Sequence, residues 1–143
     1  MKTLREFYQL AQTEHIPVDY FRLSKREALS IMDEDGDCFI AIDPQRITNE
    51  DDERLKLAHE LGHCLTGAFY NRYSDFDCRQ RHENTADKWA ISQLVSVDDL
   101  DNAVAEGYTE FWELADLFGV TEDFLKKAVC YHVHGNVAAE LYF

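Results

Sequence analysis

The sequence has few basic residues and no long hydrophobic run, and each shortage excludes a class of function. Fourteen Lys and Arg stand against 28 Asp and Glu, which gives a formal net charge of −14. Direct nucleic-acid binding is not expected, because it relies on basic surfaces that meet phosphate groups. No apolar run approaches the roughly 18 residues of a membrane span. Residues 1–6 lack the apolar core of a signal peptide, so we expect no membrane association and a cytoplasmic location.

Closely spaced cysteine pairs are also missing. The four cysteines, Cys38, Cys64, Cys78 and Cys130, show neither the spacing of a zinc knuckle nor that of a redox motif. In a cytoplasmic protein we expect them to be free thiols, mostly buried as small hydrophobic side chains.

The chain is long enough and apolar enough to form one domain with a hydrophobic core, since 45% of its 143 residues are hydrophobic. Two apolar segments, 28–32 and 38–42, flank an acidic Asp-Gly segment and predict a β-hairpin. That acidic segment lacks the spacing and closing glutamate of a calcium loop, so a turn is favoured. Helical patterns cover about 2–12, 49–66, 81–90, 96–106, 109–118 and 121–133. We predict an α+β fold, a small antiparallel sheet or hairpin packed on a helical bundle, as a single domain over 1–143 with a C-terminal helical subdomain over about 96–133.

The segment His59-Glu60-Leu61-Gly62-His63 is the strongest functional signal. On a helix, His59 and His63 lie one turn apart on the same face, so both can bind one Zn²⁺. Glu60 points about 100° away and can reach a water at the metal as a general base. Thr48 or Asn49 can cap this helix, four acids follow in its first turn, and Gly67 can end it.

A catalytic zinc also needs a third protein ligand. A third histidine six residues after His63 is absent, because Phe69 stands there. A second predicted helix supplies Glu83 as the ligand, and Asp77 can cap that helix. Asp87 lies one turn after Glu83 and can accept the free ring N–H of a ligand histidine.

An aromatic loop follows the first motif and offers donors for the oxyanion that develops during hydrolysis. Tyr70, Tyr73 and His82 are all within sequence reach of the centre, and each can donate such a hydrogen bond. The sequence does not choose among the three.

The two motifs together resemble the ImmA/IrrE family of zinc-dependent metallopeptidases, and the resemblance extends over about residues 28–133. That family shows Leu-Ala-His-Glu-Leu-Gly-His and then Glu-x-x-Ala-Asn/Asp-x-aromatic-Ala. Here these segments are 57–63 and Glu83-Asn84-Thr85-Ala86-Asp87-Lys88-Trp89-Ala90. Family members usually continue to a Leu-Met-Pro-like turn, whereas residues 94–97 lack the proline, so a different turn is expected.

The resemblance implies metal ligands at His59, His63 and Glu83, a catalytic Glu60, and a specific protein substrate. Family members often cleave helix-turn-helix repressors encoded beside them in phages and mobile elements. Two other classes remain open: a non-catalytic zinc-containing module that binds a regulatory partner, and a transcriptional regulator that uses its C-terminal helices. Residues 113–121 resemble a helix-turn-helix corner, but their acidic side chains favour simple helix packing. The sequence does not indicate an oligomeric state.

The first prediction concerns metal content. Purified protein should contain close to one zinc per chain, and Glu83→Ala should contain clearly less, because it removes one of three ligands. Elemental analysis measures both. Absence of zinc from the wild type after supplementation at neutral pH would contradict the metal-site interpretation.

Overall fold

The computed structural model describes residues 1–71 and 73–143, and over these residues it has six α-helices and three strands. The elements, in chain order within each class, are α1 (Leu4–Thr13), α2 (Glu50–Thr66), α3 (Phe76–Leu94), α4 (Val97–Ala105), α5 (Phe111–Phe118), α6 (Glu122–His134), β1 (Val18–Tyr20), β2 (Ala28–Met32) and β3 (Cys38–Ile42). A 3₁₀ turn follows at Ala139–Leu141. No helix of the described residues has the length and apolar character to cross a bilayer. The predicted α+β class is confirmed.

The sheet is mixed, with strand order β1-β3-β2. β2 and β3 form the predicted antiparallel hairpin, in which Ala28 pairs with Ile42 and Met32 with Cys38. β1 adds in parallel on the other side of β3, with Val18 opposite Ile40. The hairpin alone suggested a purely antiparallel sheet, and the parallel pairing of β1 with β3 corrects that expectation. Three residues are too few for the alternating pattern that reveals a strand in a sequence.

The hairpin turn is closed by the side chain of Asp33. Its Oδ1 accepts the backbone N–H groups of Asp35 and Asp37, both at 2.9 Å. Gly36 has a φ of 85°, which glycine adopts without steric cost. The prediction of a turn at this segment is confirmed.

The described residues divide into two compact units, Lys2–Ala90 and Ile91–Phe143, and Met1 belongs to the second. In the first unit, α1, β2 and β3 contact α2. Its largest fully buried side chains are Phe7, Ile42, Leu57 and Leu61. In the second unit, α5 contacts α6, and Leu125 and Cys130 are fully buried. Gly119, with a φ of 66°, joins α5 and α6.

Helix α2, which carries the segment from His59 to His63, begins and ends where its sequence predicts. Asn49 is the N-cap, and its side chain accepts the backbone N–H of Asp52 at 2.9 Å. Gly67 ends the helix in the left-handed conformation with a φ of 69°. The choice between Thr48 and Asn49 is therefore decided in favour of Asn49.

Helix α3 begins earlier than predicted. It starts at Phe76, and Asp75 accepts the backbone N–H of Cys78 at 2.7 Å. Asp77 therefore lies inside the first turn, and the prediction that it caps the helix is wrong. The cap signal at Asp77 fails because the carboxylate of Asp75, two residues upstream, accepts the backbone N–H of Cys78 in the first turn.

Two of the four cysteines form a disulfide, contrary to the expectation of free thiols. Cys38 begins β3 and Cys64 lies in α2, and their Cα atoms are 5.9 Å apart. Because 26 residues separate them in sequence, only the packing of the sheet on α2 brings them together. Cys78 and Cys130 are free.

Helices α2 and α3 are in close backbone contact at Gly62. A Cβ atom at this position would lie 2.7 Å from the carbonyl oxygen of Ala86 and 3.1 Å from its Cα. Backbone atoms of a helix cannot move aside as a flexible side chain would. Glycine at position 62 is therefore required for this helix spacing.

The second prediction is the sign of the effect of Gly62→Ala. In an unobstructed helix, alanine is more stable than glycine by about 1 kcal/mol. Here the clash with Ala86 should reverse the sign and lower the free energy of unfolding by about 1–3 kcal/mol. Chemical denaturation measures the change, and a stabilised Gly62→Ala variant would contradict the close approach.

Candidate metal centre

Three potential ligand atoms from α2 and α3 converge on one point. His59 Nε2 and His63 Nε2 are 3.2 Å apart. One carboxylate oxygen of Glu83 lies 2.8 Å from His59 Nε2, and the other lies 3.2 Å from His63 Nε2. The structure thus brings the three predicted ligands together.

The outer ring nitrogens determine which atoms face the centre. His59 Nδ1 donates to the carboxylate of Asp87 at 2.9 Å, as predicted for Asp87. His63 Nδ1 donates to the backbone carbonyl of Ala68. Neither acceptor can itself donate, so each Nδ1 carries a proton. In the neutral imidazoles, both Nε2 lone pairs then point at the shared centre.

The donor set fits a divalent metal such as zinc. Two ligands about 2.0–2.1 Å from a tetrahedral ion lie about 3.3 Å apart, and the separations of 2.8–3.2 Å are close to that value. His, His and Glu are the ligand types of one class of catalytic zinc centre. His63 is buried, whereas His59 and Glu83 are partly exposed, so the centre opens to one side.

A cleft lies on this open side. Glu60 lines it together with His59, His63 and Glu83. Helix α2 therefore presents the Glu60 carboxylate to the same cleft as His59 and His63. A group there can exchange a proton with a molecule held at the centre.

The three predicted oxyanion donors lie in different surroundings. Tyr70 lines the cleft, and its hydroxyl donates to Glu83 Oε1 at 2.8 Å. His82 stacks on the Tyr70 ring, with centroids 6.4 Å apart, and is not a lining residue. Tyr73 is 80% exposed and does not line the cleft either. The geometry favours Tyr70.

Several cleft residues had no signal in the sequence. Strand β2 contributes Leu29 and Ser30, and Arg26 lies just before it. Asn71 and Arg79 line the cleft from the segment between the two motifs and from the start of α3. The packing of β2 on α2 places Arg26, Leu29 and Ser30 at the cleft, and no local pattern of residues predicts that packing.

The ionisable groups of the centre strongly shift one another's pKa. Burial disfavours a charge on His59, but hydrogen bonds with Asp87 and Glu83 outweigh it and raise the pKa of His59 to about 10. Burial likewise opposes a charge on Glu83, but its bonds with His59 and His63 hold the Glu83 pKa far below its usual range. The carboxylates thus attract a proton or a metal ion to the same place.

Comparison with known proteins supports the resemblance drawn from the two motifs. A family model described as the IrrE N-terminal-like domain of the M78 peptidases matches residues 12–129. The matched range includes His59, Glu60, His63 and Glu83. A search of curated proteins found no match.

The third prediction follows from the raised pKa of His59. Below about pH 10 this imidazole carries a second proton, on the Nε2 atom that faces the centre, and a metal must displace it. The affinity for zinc should therefore fall as the pH falls. For a chelator-treated protein between about pH 6 and 8, zinc affinity should rise by at least about tenfold per pH unit, with at least about one proton released per ion, because the pKa of His63 is raised as well. Calorimetry in buffers of different ionisation enthalpy measures the proton count.

The variant Asp87→Asn should release fewer protons and bind zinc less tightly, because it removes the main group that holds the His59 proton. Asp77→Asn, an exposed change on the same helix, is the control and should behave as the wild type. A pH-independent affinity in the wild type would contradict the assigned charge coupling.

Proposed function

The chain belongs to the M78 peptidase family and is a metallopeptidase, and we propose that it is a zinc-dependent endopeptidase acting on one specific protein. The observation that carries this proposal is the convergence of His59, His63 and Glu83 beside an open cleft. Peptide hydrolysis at this site requires residues that hold the metal, a residue that moves a proton and a donor for the oxyanion.

His59, His63 and Glu83 would hold the zinc. Bound zinc supplies a Lewis acid that polarises the scissile carbonyl and lowers the pKa of water to about 7. Asp87 keeps His59 in the tautomer that leaves Nε2 available. The Ala68 carbonyl does the same for His63.

Glu60 is the general base in this proposal. It takes a proton from the attacking water and then delivers it to the nitrogen of the departing amine. Its position on the first turn of the motif, beside the ligands and lining the cleft, supports this role. One carboxylate therefore serves both halves of the reaction.

Tyr70 is the proposed oxyanion donor. Its hydroxyl is already held at the centre by Glu83, and it faces the cleft. The hydroxyl has a single proton, so its bond to Glu83 would be exchanged for a bond to the carbonyl oxygen as that oxygen becomes negative. Tyr73 and His82 lack a position in the cleft wall.

The resemblance to the ImmA/IrrE family suggests the substrate class, a helix-turn-helix repressor encoded near this chain's own gene. One cut in such a protein would relieve repression. Repressors act in the cytoplasm, and we propose the same location for this chain. The Cys38–Cys64 bond would there be exposed to cellular thiols.

A non-catalytic zinc module is the alternative from another class. Such a module would need a closed site with four protein ligands. Among the described residues, the cluster at the centre has three members, His59, His63 and Glu83. Three ligands beside a cleft favour catalysis.

The fourth prediction separates catalysis from metal binding. Glu60→Gln should bind zinc as the wild type does but cleave about 100- to 10,000-fold more slowly, because the amide cannot accept the proton. The protein should be co-expressed with regulators encoded by neighbouring genes, and the products should be identified by intact mass.

Glu50→Gln is the matched control, since it makes the same change at an exposed position on the same helix. It should cleave normally. Full activity of Glu60→Gln would refute the assigned mechanism, and normal zinc binding without cleavage of any regulator by the wild type would favour the binding module.

A further inference from the structure

We propose that the cleft selects an acidic side chain next to the scissile bond, and that Arg26 and Arg79 recognise it. This inference rests on the proposed peptidase function and names a feature of its substrate. It starts from the sign of the charges that line the cleft.

Four charged residues of the described chain line the cleft: Arg26, Glu60, Arg79 and Glu83. Glu83 is committed to the metal centre by its contacts with the two histidines. Glu60 is committed to the proton transfer. The cleft charges that neither contact the candidate ligands nor serve the proposed proton transfer are the two guanidinium groups, in a chain whose net charge is −14.

Both guanidinium groups lie around Tyr70. The Arg79 Cζ atom is 5.8 Å from the centre of the Tyr70 ring, and Arg79 Nε donates to the Ser74 carbonyl at 3.0 Å. Arg26 lines the same cleft as Tyr70. Burial and the bond to Glu83 raise the pKa of Tyr70, and the charge of Arg26 counteracts that rise.

Tyr70 also links this pair to the reacting centre, since its hydroxyl bonds the ligand Glu83 at 2.8 Å. A substrate side chain that reaches the two arginines would thus belong to a residue close to the bond being cut. Within residues 1–71 and 73–143, Arg26 forms no ion pair with a carboxylate. Arginine is well suited to this role, because its planar fork matches the two oxygens of a carboxylate.

The net negative charge of the chain confines the preference for an acidic side chain to the immediate surroundings of the two arginines. At a distance, a chain of charge −14 attracts basic partners and repels acidic ones. Inside the cleft, the charges proposed to meet the substrate side chain, Arg26 and Arg79, have the opposite sign. The substrate class that satisfies both is a basic protein with Asp or Glu beside the cleaved bond.

The test uses three short peptide hydroxamates that differ only at the side chain next to the metal-binding group: Asp, Asn or Lys. Calorimetry on the zinc-loaded protein measures their dissociation constants. The Asp compound should bind about 3- to 10-fold more tightly than the Asn compound, the range expected for two partly exposed charge pairs acting together, and the Lys compound should bind most weakly. In Arg26→Gln/Arg79→Gln the Asp and Asn compounds should differ by less than about twofold.

The double variant Arg22→Gln/Arg81→Gln is the matched control, because both positions are exposed and neither lines the cleft. It should keep the wild-type preference. If Arg26→Gln/Arg79→Gln does not fold, Arg26→Gln alone should still reduce the preference.

Two results would overturn the inference: equal binding of the three compounds to the wild type, or an unchanged Asp preference in the folded cleft variants. A preference for Lys would overturn it as well. Failure of all three compounds to bind would instead contradict the open metal site, and thereby the proposed function on which the inference depends.

Discussion

The close approach of α2 and α3 at Gly62 is the contact on which the candidate metal centre depends. Glycine allows the backbone of α3 at Ala86 to lie against α2, where a methyl group would collide with a carbonyl oxygen. Glu83 and Asp87, one turn apart on α3, flank Ala86 in the chain. The same contact therefore brings two side chains of α3 to α2: Glu83, the third candidate ligand, and Asp87, the hydrogen-bond partner of His59. A wider helix spacing would withdraw both carboxylates from the histidines.

The centre is a preorganised cluster of opposite charges. Asp87 and the Ala68 carbonyl hold the outer ring nitrogens, so the inner nitrogens of His59 and His63 face Glu83. Such a cluster is costly to bury without a cation. The raised pKa of His59 shows how the protein's own groups meet that cost with a proton. A metal ion can use the same arrangement because it replaces one positive charge with another.

Two scales of charge act on a substrate. The whole chain is strongly acidic, which acts over distances up to about the Debye length of 8–10 Å. The cleft adds Arg26 and Arg79, whose positive charges would outweigh the net negative charge only for groups close to them. Long-range attraction of a basic protein is therefore compatible with the proposed short-range selection of one acidic residue.

The sequence by itself determined the local elements and the chemistry they carry. The four-residue spacing of His59 and His63 predicts a shared helix face, Asn49 and Gly67 mark the ends of α2, and the hairpin follows from alternation around an Asp-Gly turn. These features depend on neighbours within a few residues, which a sequence displays directly. Only the tertiary structure decided the parallel strand β1, the Cys38–Cys64 bond and the placement of Tyr70, Arg26 and Arg79 in the cleft wall. Each depends on contacts between segments distant in the chain, and such contacts follow from the packing of the sheet and α3 on α2, which leaves no periodic pattern in the sequence.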